Sequence, residues 1–264
     1  FSLLALAIVR LPATHRQLMV TFFEEITGTM LVIIGWVLWL APVGVFALSL
    51  SVAGQSGLAA LGALAHYIVT VASMGGVVLL LAYGVAVFAA RQQLSRFFRA
   101  ALPVQAMAIS TQSSLASLPA MLAACRTLGL KETTGEFVLP LAVALFRATG
   151  PAMNLAVAIY VARLTGVELS PVVLATGVLV ALATTIGSVS LPGAISFVTA
   201  IGPIAIAMGV PIGPLALLVA VEVLPDIMRT VGNVTMDVAV AATVDRHTAE
   251  GDGEASNPAS TGSA

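Results

Sequence analysis

Residues 222–237 read EVLPDIMRTVGNVTMD and lie between two runs of small apolar residues, GPLALLVAV before them and VAVAATV after. On an α-helix advancing about 100° per residue, positions 222, 226, 229, 233 and 237 share a stripe about 80° wide. One face of an otherwise apolar helix therefore carries Glu222, Asp226, Arg229, Asn233 and Asp237. A face of that kind turns toward protein, water or a ligand rather than toward lipid.

Composition sets the surroundings of that face. The 264 residues are 59% hydrophobic and 9% charged, with a mean hydropathy of +1.07, against roughly 25% charged residues in a typical soluble domain. The chain reads as an all-α integral membrane protein that crosses the bilayer several times. A net charge of −1 leaves no basic footprint for nucleic acid. A single cysteine, Cys125, rules out an internal disulfide framework and reads as a small apolar packing residue. The sequence opens on Phe1 inside an apolar run, with no initiator Met or charged signal-peptide start, and is read as the C-terminal part of a longer protein.

Residues 1–12 read as the end of one helix, followed by a polar connector with Arg10, His15 and Arg16. Apolar helical stretches then run over about 22–51 and 57–90, separated by the uncharged SVAGQSG, and RQQLSRFFRA follows. The basic flanks place both outer ends in the cytoplasm and the uncharged loop outside. The next apolar segment, about 100–125, breaks this alternation, because Arg126 and Lys131 on its far side are basic too. Its middle, ISTQSSLASLPA, is rich in hydroxyls and holds a proline, which suits two half-helices meeting at a non-helical tip. Such a tip is tolerated at membrane depth only where protein or a watery cavity surrounds it.

Residues 93–129 are therefore expected to form a re-entrant hairpin, followed by an outward helix over 135–164. Residues 170–209 repeat the hairpin around TTIGSVSLPGA, the final helix spans 212–246, and 247–264 form a polar, disordered cytoplasmic tail. Ser-Leu-Pro recurs in both tips, at 117–119 and 190–192. The two units start on opposite sides of the membrane, as in an inverted repeat, and paired broken segments point to a midplane site in a secondary transporter.

An arginine at bilayer depth normally has a partner. Asp226 lies one turn from Arg229, and a guanidinium fork suits a carboxylate; either the two form a permanent ion pair or a substrate completes the site. Pro225, read as interior to the helix, frees the carbonyl four residues earlier and bends the segment. Asn233 and Asp237 extend the stripe with oxygens able to hold a hard cation such as Na⁺. Half-helix N-termini at the two tips favour an anionic group between them. Ser113, Ser114 and Ser117 in one tip, and Ser188 and Ser190 in the other, add hydroxyl donors, or serve only as packing residues bonded to backbone.

STQSSLASLP, IGSVSLPG and above all DIMRTVGNVTMD resemble the dicarboxylate/amino acid:cation symporter family, which includes the glutamate transporters; the resemblance runs over essentially the whole chain. It implies that Asp226 binds the substrate's α-amino group and Arg229 its side-chain carboxylate. Thr230 and Asn233 would contact substrate, and Asp237 would ligate Na⁺. Ser113 and Ser114 match the first tip, which helps hold the α-carboxylate. Ser188, Val189, Ser190, Pro192 and Gly193 match the second tip, the extracellular gate. The resemblance also implies a homotrimer in a cell membrane, that of the bacterial inner membrane, in contact with lipid. Residues 1–56 would belong to scaffold helices, and 57–92 with 93–246 to a body that moves across the membrane.

The sequence departs from the family where an Asn-Met-Asp-Gly-Thr signature is usual in a broken helix; here Phe146, Arg147, Ala148, Thr149 and Gly150 stand instead. Arg147 either replaces a bound cation electrostatically or forms a salt bridge to Glu222 or Asp237. Asn154 supplies an amide oxygen to a cation or packs. Glu222 stands where the family commonly has Asp, and a carboxyl shielded from water can carry a proton, so coupling to Na⁺, to H⁺ or to both is open. No cofactor is expected beyond the coupling ion.

An acidic side chain at 226 would repel a simple dicarboxylate and attract an ammonium. That favours aspartate or glutamate as the substrate, with a C4-dicarboxylate as the alternative if Arg147 rebalances the charge. GQSG at 54–57 fits an intramembrane serine protease pattern. Its nearest histidine, His66, lies roughly 15 Å away along one helix, so the protein is not expected to be an enzyme. A channel, with the stripe lining a continuous pore, is the other distant alternative.

Overall fold

The computed structural model describes the backbone of residues 2–187 and 194–255. Every regular element among them is helical: α1 (Ser2–Val9), α2 (Ala13–Gly84), α3 (Leu94–Thr111), α4 (Leu118–Leu128), α5 (Glu132–Leu145), α6 (Thr149–Leu164), α7 (Pro171–Gly187), α8 (Ala194–Ala207), α9 (Leu215–Leu218) and α10 (Val223–Ala255). A π-helical turn, Val85–Ala89, follows α2, and a 3₁₀ turn, Val219–Val221, joins α9 to the start of α10. Among the described residues two segments, Gly62–Ala89 and Glu132–Leu164, are long and apolar enough to cross a bilayer.

The chain divides into two units, Phe1–Gln55 and Ser56–Ala264. In the first, Pro12 stands just before α2, where its missing N–H costs nothing, and its carbonyl accepts the Arg16 N–H at 2.9 Å. Trp36, Trp39 and Phe46 lie exposed on this unit.

The second unit is built around two large apolar clusters and a small third one of Val78, Ala82 and Met236. In the first, α10 contributes Val234 and Val238 and packs against Phe97 and Val104 of α3, Met121 of α4 and Leu139 of α5. In the second, Met153 and Val157 of α6 meet Tyr67 and Val71 of α2 and Phe197, Ile201 and Ile204 of α8. Each pair of helices thus packs on a third: α3 and α4 on α10, which lies about a hundred residues later, and α7 and α8 on α6, which precedes them. Cys125 lies within the first cluster, 3% exposed, as a small apolar residue.

Between α3 and α4 the chain turns at residues 112–117. Gln112 takes a left-handed conformation, φ 49°, with its N–H on the Ala108 carbonyl, and Pro119 falls in the first turn of α4, where no helical bond is lost. The far ends of both helices gather at one polar end of the unit. There the Arg96 guanidinium donates to the Thr127 carbonyl at 3.2 Å, the Lys131 N–H to Asp245 at 3.0 Å, and Arg246 to the Ala89 carbonyl at 2.7 Å.

Four segments differ from the sequence reading. SVAGQSG, expected as a loop, is helical within α2; it lacks proline and charge, and its glycines weaken a helix by only about 1 kcal/mol each. The helix expected over 135–164 starts at Glu132 and is interrupted at Phe146–Ala148, where Phe146 is extended. The helix expected over 212–246 is interrupted before Val223, so Pro225 lies in the first turn of α10 rather than in a helix interior. Its missing N–H would have had no helical partner there. At the other end α10 runs on to Ala255, through residues expected to be tail; Thr248 bonds back to the Val244 carbonyl at 3.1 Å. The hairpin tip at 188–193 lies outside the described residues.

Where α2, α6 and α10 meet, side chains shrink to hydrogen. A Cβ on Gly232 would stand 2.6 Å from Thr149 Cγ2 and 3.4 Å from the Gly75 carbonyl oxygen; one on Gly75 would stand 3.1 Å from both Met153 Sδ and Met228 Cβ. Small residues allow such close approach of membrane helices. Gly232→Ala should destabilise the protein by about 1–3 kcal/mol through overpacking, read as a lower melting temperature in detergent. Gly213→Ala, with open space at its Cβ, should stay within about 0.5 kcal/mol of wild type.

Candidate binding site

The polar stripe read from the sequence is gathered by the interrupted ends of two helices. Glu222 precedes α10 and its carbonyl accepts the Asp226 N–H at 2.8 Å, so it keeps helical register with Asp226, Arg229, Asn233 and Asp237. All five face protein: Glu222 is 8% exposed, Asn233 4% and Asp237 1%, and the Arg229 side chain is 13% exposed.

Arg229 is the hub. Its Nη2 donates to Glu222 Oε1 at 2.6 Å, its Nη1 to Asn154 Oδ1 of α6 at 2.5 Å, and its Nε lies 3.2 Å from Asp226 Oδ1. The Arg229–Asp226 ion pair considered above is present and is widened: Arg229 also bonds to Glu222 and to an amide from α6. Asn154, expected to supply an oxygen to a cation or to pack, supplies it to the guanidinium.

The second oxygen of Glu222 accepts the Tyr67 hydroxyl at 2.7 Å. Tyr67 is fully buried and meets the edge of Tyr160 at a centroid distance of 5.2 Å, and the Tyr160 hydroxyl donates to the Ala63 carbonyl at 2.9 Å. His66 Nδ1 lies 3.3 Å from the Tyr160 hydroxyl, which accounts for that histidine without a catalytic role. Sequence reasoning missed Tyr67. The signal was there in outline: a buried tyrosine hydroxyl in an apolar helix needs a polar partner.

Below Arg229 the start of α6 meets α10. The first N–H groups of a helix have no partner within it. Thr149 donates both its N–H and its hydroxyl to Asn233 Oδ1, at 2.9 Å each, and its hydroxyl also lies 3.1 Å from the Arg229 carbonyl. The Asn233 amide oxygen is thereby occupied, and its NH₂ makes no hydrogen bond to another of the described residues. Thr230 bonds to the Asp226 carbonyl at 3.0 Å. Asp237 differs from all of these, being fully buried with no hydrogen bond to either carboxylate oxygen among the described residues. Arg147, in the gap between α5 and α6, acts on Asp226, Asp237 and Arg229 through space without a hydrogen bond to Asp237.

The first tip keeps to itself in this arrangement. Ser113 Oγ accepts the Ala116 N–H at 3.2 Å, and Ser117 donates to the Ser113 carbonyl at 2.9 Å; Ser114 and Ser117 are buried. Ser188, Val189, Ser190, Pro192 and Gly193 lie outside the described residues. A cavity of about 580 Å³ is lined by α2 and α6, including His66, Met74, Ile159 and Arg163. It is not lined by the α10 stripe.

A buried, unbonded carboxylate is costly unless it is protonated or holds a cation. Among the described residues no three His, Cys, Asp or Glu side chains cluster, so further ligands for a cation at Asp237 would be carbonyl, hydroxyl or amide oxygens. Asp237→Asn should raise the stability of the Na⁺-free protein at neutral pH by about 1–3 kcal/mol, read as a higher melting temperature, and should abolish any stabilisation by added Na⁺.

The sodium:dicarboxylate symporter family pattern matches residues 1–247, and the chain belongs to that family. It is 30% identical over 236 residues to the proton/glutamate-aspartate symporter of Escherichia coli (strain K12), covering 89% of this chain and 53% of that protein. It is 29% identical over 228 residues to neutral amino acid transporter A of Homo sapiens, covering 83% and 42%. Neutral amino acid transporter B(0) of Mus musculus is 27% identical over 183 residues, covering 67% and 32%. The chain thus spans about half or less of these relatives' length.

Proposed function

We propose that the protein is a secondary active symporter that carries an acidic amino acid, aspartate or glutamate, across a cell membrane together with Na⁺ or H⁺. The observation that carries this reading is the largely buried Arg229 guanidinium beside Asp226 on one face of α10. Together they offer a cation for a side-chain carboxylate and an anion for an α-ammonium, set one helical turn apart. The name of the E. coli relative agrees with the substrate class.

Asp237, buried with both oxygens open, is the group that would take the coupling ion, either as a ligand of Na⁺ or by holding H⁺. Glu222 is a second carboxyl able to carry a proton. Asn233, whose amide oxygen Thr149 occupies, would meet the substrate through its NH₂, and Thr230 through its hydroxyl.

The architecture supports movement of the site as one body. α4 has 11 residues, about 16 Å of helix, roughly half the thickness of a bilayer core. A helix this short turns back within the membrane or stays in protein, which supports re-entry of the α3–α4 hairpin with Ser113 and Ser114 at depth; α7 and α8 with Ser188–Gly193 would form the matching gate of an inverted repeat. The hairpins and the helices they clasp would move together in an elevator cycle, within a homotrimer held by scaffold helices in a bacterial inner membrane.

A C4-dicarboxylate is the second reading, favoured by Arg147, whose charge acts on Asp226 and so lowers the repulsion that Asp226 offers to a second carboxylate. Competition of labelled aspartate uptake into proteoliposomes by glutamate, succinate and neutral amino acids decides between them. Arg229→Ala should reduce aspartate uptake by at least about 100-fold, the loss of a charge-assisted bidentate contact in a dry site; undiminished uptake would sink the assignment. Under imposed gradients, accumulation that follows pH and ignores Na⁺ would exclude obligatory sodium coupling.

A further inference from the structure

We infer that Glu222, held by the Tyr67 hydroxyl, is a built-in carboxylate that occupies Arg229 when no substrate does, and that this pair sets the discrimination between substrates with acidic and with uncharged side chains. The inference rests on Arg229 being the seat of the substrate's side-chain carboxylate.

The guanidinium has two edges that bind a carboxylate through paired N–H groups, Nε with Nη2 and Nη1 with Nη2. Nη2 belongs to both, and Glu222 Oε1 sits on it at 2.6 Å. Each edge uses one of the two Nη2 hydrogens, so Glu222 holds one of them, and with Asp226 at Nε and Asn154 at Nη1 a carboxylate entering by either edge meets an acceptor already in place. Asn154 on Nη1 is neutral and Asp226 on Nε is longer, at 3.2 Å, so Glu222 is the principal competitor. It is also the group with a second anchor. Its other oxygen lies 2.7 Å from the Tyr67 hydroxyl on α2, and its backbone lies between the 3₁₀ turn and α10 rather than inside a regular helix. Glu222 can leave Arg229 and keep a hydrogen bond.

Substrate chemistry separates at this point. An acidic side chain brings a third carboxylate to a single guanidinium that already faces Glu222 and Asp226, and it binds only as Glu222 withdraws toward Tyr67. An uncharged side chain brings none, and Glu222 stays in place to neutralise Arg229. Without Glu222, a neutral substrate would leave the guanidinium short of a partner in an apolar interior, an arrangement that disfavours it. Both substrate classes occur in the names of the relatives.

The test uses the complete protein in proteoliposomes, with labelled aspartate uptake and competition by unlabelled alanine. Glu222→Gln keeps the side chain's shape. It should lower the KM for aspartate and weaken competition by alanine, each by about tenfold, the effect of one charge-assisted hydrogen bond. Tyr67→Phe keeps the ring against Tyr160 and should shift the aspartate-to-alanine preference the same way by a smaller factor. The double variant should shift it no further than Glu222→Gln alone, because Tyr67 acts through Glu222; a tyrosine that merely packs would add its own effect.

An unchanged preference, or one moved toward alanine, in Glu222→Gln overturns the inference while Arg229-dependent aspartate uptake remains. Should that variant fail to fold, an unchanged preference in Tyr67→Phe overturns it equally. Wild-type protein that takes up no aspartate overturns the reading of Arg229, and the inference with it.

Discussion

A guanidinium largely withdrawn from water can be kept only if the protein surrounds it with acceptors, and this requirement organises the second unit. Arg229 draws on three segments: its own helix through Asp226, the turn before it through Glu222, and α6 through Asn154. Glu222 in turn needs a donor for its second oxygen, and α2 supplies Tyr67. Three helices far apart in sequence are thereby fixed around one charge. The apolar packing at Gly75 and Gly232 lets them come close enough to do so. In an interior of low dielectric each of these bonds is strong, and each missing one would be costly.

The stripe on α10 was legible in the sequence because helical periodicity is a local property. Spacing alone brought Glu222, Asp226, Arg229, Asn233 and Asp237 to one face, and family resemblance gave them separate roles. What the face looks at was less legible. Tyr67 stands 155 residues from Glu222, and Thr149 stands 84 from Asn233. No local pattern reports such a pairing. The hydroxyl-rich tip with its Ser-Leu-Pro did announce a turn between two helices, and α3 and α4 flank it.

The hydropathy of 135–164 and 212–246 gives no sign of the two helix interruptions, and proline does. Both α6 and α10 carry a proline as their third residue, Pro151 in one and Pro225 in the other. A proline in that place marks a helix start, since the first N–H groups have no helical acceptor. Taken in this sense, Gly150-Pro151 and Leu224-Pro225 would have divided both long apolar stretches. The two interruptions matter because they free the Thr149 N–H for Asn233 and set Glu222 at a junction. SVAGQSG shows the converse, a stretch with loop-like composition and no proline that is helical.

The partnership of α3 and α4 with α10 has a consequence for biosynthesis. The first hairpin's cluster closes on Val234 and Val238, roughly a hundred residues later in the chain, so at translation rates of about 5–20 residues per second it waits about 5–20 s for its partner. Through that interval Gln105 of α3, whose amide donates to the Thr235 hydroxyl at 3.1 Å in the finished protein, has no α10 to meet. A nascent chain stalled before residue 223 would hold this hairpin against α5 with its face for α10 uncovered, a natural object for a membrane chaperone or a protease.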